Sequence, residues 1–250
     1  MRGSRGWHAA YRRVVRDAFA TVPLYRERWA LDGRTDPVLV PGRTGHDGGA
    51  IGHGEAIRRI PDLVPIGGGS AEPDPLRGLG SVLPRLGAGG LVVVLDGTGA
   101  RPPADLREGL RGCVLDPNRL TTDHTGALAE INGRLRRGTA VLAVGTDKDL
   151  ARLAEALEDD TLQVLPTREL SDLGSAGLLH DPLLGFLGNV GDCGRWHVDR
   201  RHVYVRETAA GLAFTVLGKA SPRLVDILVG DGVPGTVARC PRHATPVLKT

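Results

Sequence analysis

Apolar residues Ala9, Val14, Val15 and Ala18 recur at helical spacing among Arg12, Arg13, Arg16 and Asp17. The chain therefore opens with a predicted amphipathic helix over 8–20, stopped before Pro23. Through 31–80 glycine and proline are so dense that only short pieces such as 55–60 are expected to be regular, within a long wrapped loop or arm.

The apolar, β-branched run 91–96 sits between glycines and predicts a buried strand. A helix over 104–110, opened by Pro102 and Pro103, is expected to follow it. Periodicity then predicts a helix over 123–137, a strand over 139–145, a helix over 148–157 and a strand over 161–165. Strands alternating with helices imply a parallel or mixed sheet covered by helices.

Beyond Asp181 the pattern changes. Segments 201–207 and 211–217 flank Thr208-Ala-Ala as the two strands of a predicted hairpin, and a further strand is predicted over 224–229. The expectation is an α/β part over 1–175 and a β-rich part over 176–250.

A hydrophobic share of 41% with 24% charged residues is ordinary for a globular chain, so disorder is not expected. The net charge of +3 comes from arginines scattered among nearly as many acids. No basic stripe with interleaved aromatics exists, which argues against nucleic acid as a partner. Lysine occurs only at 148, 219 and 249, and alanine, glycine and proline are abundant. This is the coding bias expected of a high-GC bacterium. No apolar run reaches the roughly 18 residues that span a membrane, and the N-terminus has no signal-peptide core, so a cytoplasmic protein is expected.

Three cysteines do not make a disulfide framework. Two of them stand at ligand spacing from a histidine, in Cys193-Gly-Arg-Trp-His197 and Cys240-Pro-Arg-His243. Two such pairs are what a closed structural zinc site requires. Buried cysteines with surface histidines are the plainer alternative. Asp192 and His202 flank the proposed ligands and are candidates to orient them. Cys113 is expected to be buried at the start of a strand, and 67–70 to form a flexible turn.

Several segments, in order along the chain, resemble the phenylacetate-CoA ligase branch of the adenylate-forming enzymes. Val22-Pro-Leu-Tyr-Arg-Glu-Arg-Trp29 is similar to the end of the family's opening helix. Asp96-Gly-Thr-Gly-Ala-Arg-Pro102 resembles its glycine-rich phosphate loop, and the run from Val144 to Leu157 its Thr-Pro-Ser helix start. Val229-Gly-Asp231 is similar to the Tyr-x-Thr-Gly-Asp motif, and the Cys193 and Cys240 segments stand where that branch binds a structural zinc.

The resemblance implies a reduced copy of the adenylate-forming N-terminal domain. Asp96, Gly97, Thr98 and Gly99 would face phosphate, Asp231 would face ribose hydroxyls, and zinc would be held by Cys193, His197, Cys240 and His243. Asp231 also reads as a turn residue before Gly232. Asp96 replaces a hydroxyl residue and Gly99 a threonine, so the loop is ill suited to ATP or AMP. The family's Gly-Ala-Glu-Pro and Tyr-Gly-x-Thr-Glu motifs are not found around 165–188, and its mobile C-terminal domain would follow Thr250. No catalytic residue is singled out.

Three functions are compatible with this. The first is an enzyme acting on a small carboxylate, aryl or acyl thioester substrate in bacterial specialised metabolism, without normal adenylation. The others are a non-catalytic partner protein and an adenylating ligase completed by a second chain.

Overall fold

The computed structural model describes residues 2–29, 46–157 and 161–249. The opening helix α1 (Arg2–Thr21) is longer than predicted, and Val14, Val15 and Ala18 form its buried stripe. Pro23 begins α2 (Pro23–Trp29), where its missing N–H costs nothing in the first turn. Of the predicted arm, 31–45 lie outside the described residues. From His46 onward it holds only short pieces, as its glycines and prolines dictate: β1 (Ile51–Gly52), α3 (His53–Arg58), α4 (Leu79–Val82) and the 3-10 turns His46–Gly49 and Ile60–Leu63.

The predicted alternation follows, as β2 (Leu91–Leu95), β3 (Arg111–Leu115), α5 (Thr125–Arg136), β4 (Val141–Gly145), α6 (Asp147–Ala156) and β5 (Gln163–Arg168). These four strands are parallel, in the order β3-β2-β4-β5. Strands β2 and β4 are buried on both faces, which is why they read as continuous apolar runs. Leu91, Val93 and Leu95 meet Ile131 and Leu153 from the helices, while Val92 and Val94 meet Leu79, Val82 and Phe186.

The helix expected over 104–110 does not form. Asp105 is held against α4: its carboxylate accepts from the Gly80 N–H at 3.3 Å, and a Cβ on Gly80 would stand 2.0 Å from the Asp105 carbonyl oxygen. That close backbone packing, with Pro102, Pro103 and Gly109 along the way, keeps the segment irregular, with a turn closed by the Leu110 N–H on the Arg107 carbonyl at 3.1 Å. Strand β3, which begins soon after it, was not foreseen over its full length, and Cys113 lies in its middle rather than at its start.

The remaining strands are β6 (Leu178–Asp181), β7 (Gly185–Val190), β8 (Trp196–Val198), the predicted hairpin β9 (Val203–Thr208) and β10 (Gly211–Val216), β11 (Ile227–Leu228), β12 (Thr236–Arg239) and β13 (Pro246–Lys249). The strand expected over 224–229 is confined to β11, because Asp226 takes a left-handed φ of 54° and breaks the extended run.

Two mixed sheets result. The larger has the order β12-β13-β8-β7-β6-β5-β4-β2-β3, parallel from β6 through β3 and antiparallel elsewhere. Since β5 pairs with β6, this sheet runs straight through position 175. The smaller sheet, β1-β11-β10-β9, carries the N-terminal helices on its face. Trp7 donates to the Val203 carbonyl at 2.8 Å and Tyr25 to that of Arg223 at 3.0 Å. Among the described residues no helix is long and apolar enough to cross a membrane.

Candidate metal centre

The turn between β7 and β8 is closed by Gly191 N–H donating to the Arg195 carbonyl at 2.9 Å. Gly194 within it adopts φ 69°, a left-handed value that a glycine takes without steric cost. This fold-back sets Cys193 Sγ 3.1 Å from His197 Nε2. A second turn, between β12 and β13, is closed by Ala244 N–H on the Cys240 carbonyl and by Cys240 N–H on that of Thr245, both at 2.8 Å. It sets Cys240 Sγ 3.6 Å from His243 Nδ1.

The antiparallel pairing of β13 with β8 places Val247 opposite His197 and so stacks the two turns. Cys193 and Cys240, 47 positions apart, then have their sulfurs 3.8 Å from each other. One ligand atom from each of Cys193, His197, Cys240 and His243 lies within 4.8 Å of all the others. A tetrahedral ion with the usual metal–sulfur and metal–nitrogen bonds would give S···S near ~3.8 Å and S···N near ~3.6 Å. The quartet can therefore hold a metal ion.

The outward ring nitrogens are also held. His197 Nδ1 is 2.7 Å from Thr245 Oγ1, and His243 Nε2 is 2.9 Å from Asp192 Oδ1. The two rings meet edge to face with centroids 5.0 Å apart. This fixes which nitrogen of each ring faces the sulfurs, as the partners of metal-binding histidines do. Asp192 also pairs with Arg242 at 3.0 Å. His202, the other expected orienting residue, pairs instead with Asp199 at 2.7 Å. Thr245 was not anticipated, since nothing in its spacing marks it and only the β13 turn brings it to His197.

Burial pushes the Cys240 thiol up, but the His243 and Arg242 N–H groups and the His243 and Cys193 side chains outweigh this, bringing it to about 7. Burial, reinforced by His243, holds His197 below the ordinary imidazole value. Both shifts favour the thiolate and neutral imidazole that a metal requires.

The other expected residues lie elsewhere in the fold. Asp96, Gly97, Thr98 and Gly99 follow β2 at its carboxyl end, and the Asp96 carboxylate accepts from the Thr98 N–H of its own loop. Asp116 and Asn118 are beside it, since a Cβ built on Gly97 would lie 3.6 Å from Asp116 Oδ1. The nearest helix start along the adjacent strand, that of α6, is capped by Thr146 and carries Asp147 and Asp149 in its first turn. In chain order these strands run second, first, third, fourth across the sheet, so the connections reverse between β2 and β4. Such a reversal, at the carboxyl ends of the two strands, is where open α/β sheets place a ligand crevice.

Asp231 ends a 3-10 turn over Val229–Asp231 that follows β11 in the other sheet, before Gly232 at φ 95°. Cys113 is half-buried and its thiol is raised chiefly by burial, which suits a wall residue rather than a nucleophile. Residues 67–70 form an irregular turn, pinned where Ser221 donates to the Ser70 carbonyl at 2.7 Å.

No protein-family model matches this chain, and neither does any curated protein.

Proposed function

We propose that this chain is a zinc-stapled, reduced protein of the phenylacetate-CoA ligase type. In this reading it acts on a carboxylate, aryl or acyl thioester substrate in bacterial specialised-metabolite biosynthesis, without ordinary ATP adenylation. The observation that carries the reading is the closed quartet, which stands at the sequence positions where the resemblance implies a structural zinc. Two thiolates and two imidazoles suit zinc over the oxygen-seeking cations. Four protein ligands leave the ion no vertex for substrate, so its part is to tie the β7–β8 turn to the β12–β13 turn.

Substrate would then bind in the crevice between β2 and β4, where open parallel sheets take their ligands. Asp116 and Asp149 there are offset by Arg119 and Arg152, at 3.8 and 3.7 Å, and it is Asp96, in the loop itself, whose charge disfavours a triphosphate. Two like charges ~4 Å apart repel by about 4 kcal/mol near a protein surface. One observation favours the non-catalytic partner instead: Asp96 takes up the Thr98 N–H, leaving that loop one donor fewer for a phosphate.

Thermal unfolding of the zinc-loaded protein separates these readings, because a ligand of the native state raises its melting temperature by mass action. Stabilisation by aryl carboxylates or acyl-CoA thioesters, with none from millimolar ATP and magnesium, is the expected result. Stabilisation by ATP and magnesium would favour the ligase completed by a second chain. No response to any of them would favour the partner protein.

A further inference from the structure

A cavity of about 320 Å³ opens where α4 meets the ends of β7 and β8, lined by Ser81, Asn189, Val198, Asp199, Arg200 and Arg201. It belongs to neither the metal centre nor the β2–β4 crevice, from which β5 and β6 separate it. We infer that it binds a small hydroxylated oxyanion, a phosphate or carboxylate, through Arg200 and Arg201.

The floor of the cavity is fixed. Asp199 Oδ2 takes hydrogen bonds from Ser81 Oγ and from His202 Nδ1, and its Oδ1 takes the Arg201 N–H at 3.1 Å. Its carboxylate is thus fully engaged and its side chain is 9% exposed. Asn189 donates to the Val82 carbonyl at 2.8 Å, which orients its amide.

The rim is the opposite. Arg200 and Arg201 are exposed at the tip of a tight turn, and neither has a carboxylate partner among the described residues. Two guanidinium forks beside one internally satisfied carboxylate give the mouth a positive balance, and such forks match phosphate and carboxylate oxygens in pairs. The wall's remaining polar atoms, on Ser81 and Asn189, suit hydroxyl groups. The volume is at the small end for ligand sites, which limits the occupant to a short molecule.

The arrangement binds rather than hydrolyses. The Ser81 hydroxyl lies against two acceptors, the Gly78 carbonyl at 2.7 Å and the Asp199 carboxylate, and the imidazole of His202 faces that carboxylate instead of the hydroxyl, so no imidazole is placed to make Ser81 a nucleophile.

Calorimetric titration of the metal-loaded full chain at constant ionic strength tests this, with inorganic phosphate, glycerol 3-phosphate and malate as probes. One saturable site is expected, tightest for the hydroxylated probes, and the phosphate and malate arms tell which oxyanion it prefers. Arg200→Ala with Arg201→Ala should weaken it at least ~10-fold, while Arg12→Ala with Arg13→Ala on α1, removing equal charge, should leave it unchanged. The Arg201→Glu variant should abolish it without altering the melting temperature. Absence of saturable binding, or equal weakening in the α1 variant, overturns the inference. The thermal response to acyl thioesters should persist in the Arg200 and Arg201 variant, so failure here is distinguishable from failure of the proposed function.

Discussion

Tyr11 donates its hydroxyl to the buried carboxylate of Asp226 at 2.9 Å, joining residues 215 positions apart in the chain. Asp226 is 1% exposed and also receives Arg206 at 2.9 Å and Thr215 at 3.2 Å. The bond anchors α1 to the smaller sheet at the point where Asp226 leaves the strand conformation. Tyr11→Phe should therefore cost about 1.5–3 kcal/mol, the range for a hydrogen bond to a charged group. Denaturant unfolding would measure it, with metal content unchanged.

The metal centre makes a separable prediction. Cys240→Ser should lose stoichiometric metal and lower the melting temperature, and a chelator should do the same to the unaltered protein. Asp192→Asn keeps all four ligands but weakens the acceptor on His243 Nε2. It should fold with metal bound and release it to a competing chelator ~10–100-fold more readily. Loss of activity in Cys240→Ser, in a fraction that remains folded and stable, would contradict the structural role.

Gly188 tests how closely β7 must approach β8. A Cβ there would stand 2.1 Å from the His197 carbonyl oxygen, so Gly188→Ala must push β8 and its histidine aside. A loss of about 1–3 kcal/mol is expected, as for other overpacked sites, together with weaker metal retention. Gly126→Ala in α5 meets nothing within 4 Å and should instead stabilise by up to about 1 kcal/mol. Equilibrium unfolding of the pair checks both signs.

Acid sensitivity should appear first at His180. Burial depresses its pKa, although the Pro75 carbonyl, which accepts from Nε2 at 2.9 Å, partly opposes this. The folded value lies below the unfolded value of about 6.5, so between the two the unfolded chain binds more protons. Stability should fall as pH drops below about 6.5, with a slope of up to ~1.4 kcal/mol per pH unit, until the folded group is itself protonated. His180→Gln should flatten the stability profile between about pH 7 and 5. Asp181 acts in a lower window. Burial pushes its carboxyl up, but His53 and the Leu183 and Leu184 N–H groups outweigh that and hold it below its usual range. Its contribution is present above the unfolded carboxylate value and lost only as pH falls through the folded one.

Local pattern determined a good part of this protein. The stripe on α1 and the helices α5 and α6 are legible because a helix repeats its burial every 3.6 residues, and β2, β4 and the β9–β10 hairpin because short apolar, β-branched runs bounded by turn residues read as strands. The pairs Cys193 with His197 and Cys240 with His243 are legible because each pair lies within one turn. What needed the tertiary structure is everything that depends on residues far apart meeting. Pairing of β13 with β8 decides that the two half-sites share one centre and that Thr245 supports His197. The 104–110 segment has helix-compatible residues, yet contact with Gly80 keeps it out of a helix. The strands β6, β8, β12 and β13 have four residues or fewer, too few to display a period, and are strands because neighbours satisfy their backbones. Arg200 and Arg201 read as ordinary surface charge until the turn after β8 sets them over a cavity floored by Asp199, which a one-dimensional pattern cannot encode.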